Sequence, residues 1–316
     1  MKIEYICHSS LFIDTGDTTI VTDPWIKGTA YKGQWFLFPP PINIAEMPDV
    51  KNVLITHGHD DHLHEESLQF INKRAHLFFP YQWKKGVGDY LNSLGFNDVT
   101  ETITYTTYQI SPSTKITYIG FSLESIIVIE SNGKVIVNLN DALNSHHENI
   151  VQKFLKEIKK RWNVIDYLFS GWSGAGYFPN TVHYKNKDDA EIGKLREQYF
   201  ANNFCRFIKY LEPKRAMPFA PGFALLAEDK RWINEIKFSR NNLEQYYREN
   251  FDKDSEVEFI VMQPGDYFEN DELHSVSPYQ YQEKNDSLYH LVDEIYHDEI
   301  NIFNTIKYVD ENRIIN

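Results

Sequence analysis

Apolar and polar positions alternate from the first residues of the chain. Ile3-Glu4-Tyr5-Ile6 and Leu11-Phe12-Ile13-Asp14-Thr15 have the period of two of a half-buried strand. Gly16-Asp17 then supplies a turn before Thr19-Ile20-Val21-Thr22, so the opening predicts a hairpin. Asp23-Pro24-Trp25 begins a Gly-, Tyr- and Pro-rich loop through Pro41. Pro39-Pro40-Pro41 cannot enter a central strand, which places this loop on the surface or over a site. Lys51–Thr56 reads as a buried strand through Val53, Leu54 and Ile55. Leu63–Arg74 reads as a helix with Leu63, Leu68, Phe70 and Ile71 apolar and Glu65 and Glu66 in its first turn. A strand over His76–Pro80 and a helix over 82–94, capped by Gly95, follow.

A second β-rich block spans 99–109, 115–121 and 124–130. Asn132-Gly133 between two apolar runs predicts a type I′ hairpin, because both positions tolerate positive φ. Helices over 148–161, 189–211 and 228–248 then alternate with strands over 164–169, 214–218 and 256–262. This order predicts a four-layer αβ/βα sandwich over residues 1–268. Residues 269–316 are acidic and aromatic, with a helix expected at 286–304, and read as a C-terminal helical appendage packed on the domain or on a partner.

Composition narrows the function classes. A net charge of −13 argues against a phosphate-backbone footprint, so no nucleic-acid partner is expected. The chain shows no long apolar run and no signal-peptide pattern, giving the expectation of a cytoplasmic protein without membrane contact. Cys7 and Cys205 offer neither a disulfide framework nor an iron–sulfur ligand set, and read as buried thiols.

The densest chemistry lies in His57-Gly58-His59-Asp60-Asp61-His62. Neutral imidazole and carboxylate suit zinc, manganese or iron, and a catalytic site keeps one coordination position open. The alternative is a solvated polar loop ahead of a helix. The context favours metal: the six residues follow a buried strand, where open α/β sheets commonly place their chemistry. His57 and His59, two apart, can point the same way from extended backbone, while Asp61 and His62 can face a second metal position as the chain turns.

Thr56-His57-Gly58-His59-Asp60-Asp61-His62 resembles the metal motif of the metallo-β-lactamase superfamily. Within it, His8-Ser9-Ser10-Leu11, Thr22-Asp23-Pro24-Trp25, Asn138-Leu139-Asn140-Asp141, Ser173-Gly174-Ala175-Gly176-Tyr177-Phe178-Pro179 and Leu211-Glu212-Pro213-Lys214 through Ala220 are similar to the metallo-β-lactamase-like domain of CMP-N-acetylneuraminate hydroxylase. More distantly they resemble the ascorbate-phosphate lactonases. The resemblance implies that His57 and His59 bind one metal, Asp61 and His62 a second, and that Asp141 bridges them, with one or two divalent ions (Zn, Mn or Fe) activating water. Asp61 is expected to be catalytically essential.

The chain also departs from that pattern. Superfamily hydrolases carry a His between the motif and the bridging Asp, and 115–140 contains none. They carry a late His, where this chain reads Pro218-Phe219-Ala220-Pro221-Gly222-Phe223. His8 is the best replacement ligand, with His146, His147 and His183 as further candidates and His76 beside the motif helix. Asp23 before Pro24 is either a turn-former or a partner that orients a His. Gly171–Gly176 could cradle an anion or be a plain loop, and Lys214 and Arg215 either meet an anionic substrate or end a strand in solvent.

Three functions compete on this reading. The first is a metal-dependent hydrolase of a small anionic substrate, such as a sugar phosphate, lactone or nucleotide-sugar. The second is a diiron oxygenase-like enzyme without a Rieske domain, which would need an external electron-transfer partner. The third is a non-catalytic binding protein that kept the fold. An oligomer is compatible with all three.

Overall fold

The amino-terminal alternation forms β1 (Lys2–Cys7), β2 (Ser10–Asp14) and β3 (Thr19–Thr22), paired antiparallel in chain order. β1 buries Ile3, Tyr5 and Cys7 and turns the polar positions between them partly outward, as a period of two requires. These coordinates are a computed structural model that describes residues 1–42, 49–81, 86–174, 182–279 and 288–305. From β3 the first sheet continues in parallel through β6 (Asn52–Leu54), β7 (His76–Pro80) and β8 (Val99–Thr102). On the other side, β17 (Tyr267–Glu269) pairs with β1, and β18 (Glu272–His274) pairs with β17. The division between residues 268 and 269 therefore falls inside β17.

The second sheet is built on a long antiparallel meander. β9 (Thr107–Gln109), β10 (Thr114–Phe121), β11 (Glu124–Ser131) and β12 (Lys134–Asn140) run in order, and β13 (Tyr167–Ser170), β14 (Arg215–Pro218) and β16 (Glu258–Phe259) add in parallel. The β11–β12 turn has φ of 51° at Asn132 and 75° at Gly133, as a type I′ hairpin demands. Residues 99–109, expected as one part of the second block, are divided between the sheets. β8 closes the first sheet and β9 the second, a choice that partner strands make and local pattern cannot.

Ile3, Tyr5, Leu11, Ile13 and Ile20 meet Ile116, Tyr118, Ile127 and Ile129 between the two sheets. On the outer face of the first sheet lie α1 (Glu65–Phe70) and α2 (Val87–Ser93), through Leu68 and Leu91. On the outer face of the second lie α3 (Glu148–Arg161), α4 (Asp189–Leu211) and α6 (Leu243–Asn250), through residues such as Leu155, Phe204, Ile208 and Leu243. This is the expected four-layer αβ/βα sandwich. Both cysteines are buried, as expected.

Three helices differ from expectation. The 63–74 helix shrinks to α1. His64 caps its start by accepting from the Ser67 amide at 3.2 Å, and Ile71 is already extended, with Asn72 turning onto the Arg74 amide at 3.0 Å. The 228–248 helix breaks into α5 (Trp232–Glu235), a 3₁₀ turn at Arg240–Asn242, and α6. Burial of Arg240, which donates to the Met262 carbonyl at 3.0 Å, wins over continuous helical hydrogen bonding. The 286–304 helix is a 3₁₀ turn at Leu288–Leu291 followed by α7 (Val292–Ile295) and α8 (His297–Thr305). Val292 and Ile300 from these segments pack with Phe38, Ala224 and Leu226. Residues 286–287 and the first four of the 82–94 helix lie outside the described residues.

The 23–41 loop is not a loose surface element. Trp25, Trp35, Leu37 and Phe38 are buried in it. Its strands β4 (Thr29–Ala30) and β5 (Trp35–Leu37) form a small sheet with β15 (Phe223–Ala224). Trp35 stacks on Phe223 with centroids 3.7 Å apart. Aromatic burial anchors a segment whose prolines alone predicted exposure.

Candidate metal centre

The ends of β1, β3, β6, β12 and β14 converge at one edge of the sandwich and deliver His8, Asp23, the His57–His62 loop, Asn140-Asp141 and Gly222 to one place. His8, Asp23 and Asn140 all have positive φ, at 48°, 36° and 48°. Left-handed backbone at non-glycine residues costs on the order of 1–3 kcal/mol each and gathers where surrounding structure over-determines it. Here it turns three side chains into the site.

Asp23 is the organising group. It is fully buried and accepts from the Thr56 amide at 2.7 Å, from Thr56 Oγ1 at 2.7 Å, from Asn140 Nδ2, and from His62 Nδ1 at 3.2 Å. Of its two sequence-level readings, the geometry is that of a carboxylate orienting a histidine. With Nδ1 engaged, His62 Nε2 points at Asp61 Oδ2 (3.4 Å) and Asp141 Oδ2 (3.5 Å) without a hydrogen-bond partner. Burial opposes charge on His62, but Asp61 and Asp141 outweigh it and raise the ring well above its ordinary value. The same pairing works in reverse on Asp61: burial pushes it up, and His62 and His8 pull it well below the usual carboxylate range.

His57 sets Nδ1 3.0 Å from Thr56 Oγ1, so its Nε2 faces His59 Nδ1 at 2.8 Å and Asp141 Oδ2 at 3.8 Å. Burial, then the neighbouring His62, hold His57 well below its ordinary value. His59 stands exposed at the rim. Two groups of three residues have ligand atoms close enough to share an ion: His57, His62 and Asp141, and His8, Asp61 and His62. The buried, unpartnered His62 Nε2 between two carboxylates, and an imidazole-plus-carboxylate donor set, fit a divalent ion of the zinc, manganese or iron class.

His8 Nδ1 accepts the Gly222 amide at 2.9 Å, so a neutral ring carries its proton on Nε2, which lies 3.0 Å from Asp61 Oδ2. In this arrangement Nε2 offers Asp61 a proton, while His8 remains one of the three residues of the His8, Asp61 and His62 group. The other replacement candidates do not approach. His146 rests edge-on against Phe121, His147 caps α3, His183 pairs with Asp189 at the surface, and His76 bonds Thr100 at the opposite end of β7.

Three residues at the site were not singled out by the sequence. Tyr31 donates from its hydroxyl to Asp61 Oδ1 at 2.7 Å, and Asn140 bonds Asp23. Glu124 opens β11 half-buried, and burial, followed by the charge of Asp141, pushes its carboxyl up to about 8. Each looks ordinary in sequence, lacking both periodicity and a His or Cys. The Gly171–Gly174 part of the glycine segment is occupied internally: Ser173 Oγ and the Gly174 amide both donate to buried Glu197. Ala175–Pro179 lie outside the described residues. Lys214 and Arg215 are held in ion pairs, with Asp166 at 2.7 Å and Glu258 at 2.9 Å.

Residues 2–148 match the model of the beta-lactamase superfamily domain. Cytidine monophosphate-N-acetylneuraminic acid hydroxylase of Danio rerio is 24% identical over 253 residues, covering 74% of this chain and 40% of that protein. The chain thus spans about two fifths of that relative's length. An isothiocyanate hydrolase from Delia radicum gut bacteria superposes with a TM-score of 0.55 at 15% identity, covering 85% of this chain and 98% of that one. The metallo-beta-lactamase fold protein YhfI from Bacillus subtilis gives 0.51 at 14% identity, with 85% and 99% covered. The chain has the metallo-β-lactamase fold, and in sequence it resembles that superfamily and, within it, the hydroxylase.

Proposed function

We propose that this chain is a metal-dependent hydrolase acting on a small anionic substrate, with His57, His59, Asp61, His62 and Asp141 holding one or two divalent ions. The observation that carries the reading is His62: one nitrogen is pinned by buried Asp23 and the other is aimed, unpartnered, between Asp61 and Asp141. When bound, the ion supplies Lewis acidity and lowers the pKa of water at the site. The protein's own part is orientation. Asp23 and Thr56 fix the two rings, and Tyr31 and His8 fix the two oxygens of Asp61. His8 acts in this scheme as a positioning residue through its Nε2–H.

The test combines metal analysis with a substrate panel. Protein prepared without chelator is expected to contain one to two equivalents of zinc or manganese. It is expected to hydrolyse at least one member of a panel of sugar phosphates, lactones and nucleotide-sugars, and to lose that activity on chelation. Asp61→Asn and His59→Ala should abolish the activity with the fold retained by circular dichroism; full activity in both variants would remove the proposal. The hydroxylase likeness favours a second reading, an iron-dependent oxygenase-like enzyme supplied with electrons by a partner. Iron in the purified protein, with oxygen consumption and no hydrolysis, would select it.

A further inference from the structure

We propose that the C-terminal segment 288–305 is a strap that positions Asp61, acting through the small β4–β5–β15 sheet against which it packs. The inference rests on the metal-centre reading above and deepens it by naming what holds that carboxylate in place.

Both oxygens of Asp61 lead back to that sheet, by separate contacts. Oδ1 accepts from the Tyr31 hydroxyl at 2.7 Å. Tyr31 directly follows β4, has left-handed backbone with φ of 52°, and rests its ring against Trp35 of β5 with centroids 4.4 Å apart. Trp35 in turn stacks on Phe223 of β15. Oδ2 lies 3.0 Å from His8 Nε2, and His8 Nδ1 accepts the Gly222 amide at 2.9 Å. The Gly222 carbonyl accepts from the Phe38 N–H at 3.0 Å. Gly222 therefore joins the His8 ring to the residue that follows β5.

The C-terminal segment grips the same elements. Tyr296 donates from its hydroxyl to the Leu37 carbonyl and sets its ring edge-on to Phe36, 5.4 Å away. Tyr289 packs on Phe38 with centroids 5.0 Å apart. Buried Lys237 Nζ lies 3.7 Å from the Phe223 ring centroid and 4.8 Å from that of Tyr289, and donates to the Phe223 carbonyl at 3.1 Å. Val292 and Ile300 are buried with Phe38, Ala224 and Leu226. These contacts fall on β5, β15 and the residues beside them, which are the elements that hold Tyr31 and Gly222. Left-handed backbone at a bulky residue persists only where its surroundings over-determine it. Close-packed interiors transmit displacement, so loosening β5 frees the Tyr31 turn and with it the hydroxyl on Asp61.

The test compares two variants of the full chain. Val292→Asp with Ile300→Asp places charge between segment and sheet. Leu155→Ala lowers stability from α3, on the outer face of the second sheet. Amide exchange is measured on metal-free protein, and Zn²⁺ affinity by competition titration. Loop amides exchange through local opening, so general destabilisation leaves them largely unmoved. The double variant is expected to exchange faster over 288–305, 28–38 and 57–64. It is expected to bind Zn²⁺ about tenfold more weakly, as when a metal ligand loses a hydrogen-bonded partner. Leu155→Ala is expected to keep parent values for loop exchange and Zn²⁺ affinity. Faster exchange confined to 288–305, with parent-like exchange over 57–64 and parent-like Zn²⁺ affinity, overturns the inference while leaving the metal centre standing. An equal effect of Leu155→Ala overturns it too, since general loss of stability then accounts for the change. Should the double variant fail to fold, Tyr296→Phe with Ile300→Ala is read in the same way. A parent chain that binds no Zn²⁺ overturns both.

Discussion

Asp23→Asn separates two physical roles that sequence alone leaves level. Asn is as good a turn-former before proline as Asp, and it tolerates the positive φ of 36° found there. If Asp23 only shaped the turn, the substitution would be nearly silent. The structure instead gives it four donors: the Thr56 amide, Thr56 Oγ1, Asn140 Nδ2 and His62 Nδ1. An amide can keep its oxygen toward the Thr56 N–H, but its NH₂ then faces Thr56 Oγ1, a hydroxyl that can turn to accept, and Asn140 Nδ2 and His62 Nδ1, which also donate. Losing two hydrogen bonds to a buried charged acceptor, at about 1.5–3 kcal/mol each, costs about 3–6 kcal/mol. At about 2 °C per kcal/mol for a large domain, the melting temperature should fall by about 6–12 °C. His62 is also released from its tautomer, and losing such a partner typically weakens metal binding by about 10–100-fold. Thermal melts with and without Zn²⁺, plus a Zn²⁺ competition titration, read both effects. A variant that melts within about 2 °C of the parent and binds Zn²⁺ equally well would refute the orienting role.

Further outcomes follow from the same geometry. A β-carbon at Gly222 would meet His8 Cα and N at 3.0 Å and the Phe38 carbonyl at 3.3 Å, so Gly222→Ala should destabilise by about 1–3 kcal/mol in denaturant titration and disturb the His8–Asp61 contact. Parent-like stability would show that these backbones yield freely. Tyr31→Phe removes the 2.7 Å bond to Asp61 and should cost about 1 kcal/mol with little change in fold; an unchanged denaturation midpoint would remove Tyr31 from the site's support. For metal-free protein the pH profile has a definite sign. His62 is raised, so its contribution is complete below its ordinary value of 6.5 and is lost as pH rises through the higher folded value. Asp61 is lowered, so its contribution is present above 3.8 and is lost as pH falls through the lower folded value. Denaturation curves should show stability declining toward alkaline pH, with a shallower slope in His62→Gln. A steady rise through the alkaline range would contradict the pairing.

Much of this protein is readable from local pattern. β7, α3 and α4 match their predicted bounds because each is specified by its own periodicity and caps, as where Asp188 caps α4. The His57–His62 motif was likewise visible as residue types whose chemistry is unusual at that spacing, and Asp141 through the resemblance to the superfamily. What escaped local reading depends on partners far away in the chain. Whether 99–109 is one strand or two, and where the 228–248 helix breaks, follow from neighbouring strands and from the burial of Arg240. Hydrogen-bond direction is of the same kind. The backbone N–H of Gly222, 214 residues away, meets His8 Nδ1 and leaves the other ring nitrogen facing Asp61. Tyr31 carries no signature in sequence and gains meaning from what it faces. Residue type and spacing identify chemistry along the chain, but which lone pair is free to bind depends on groups that only folding brings within 3 Å.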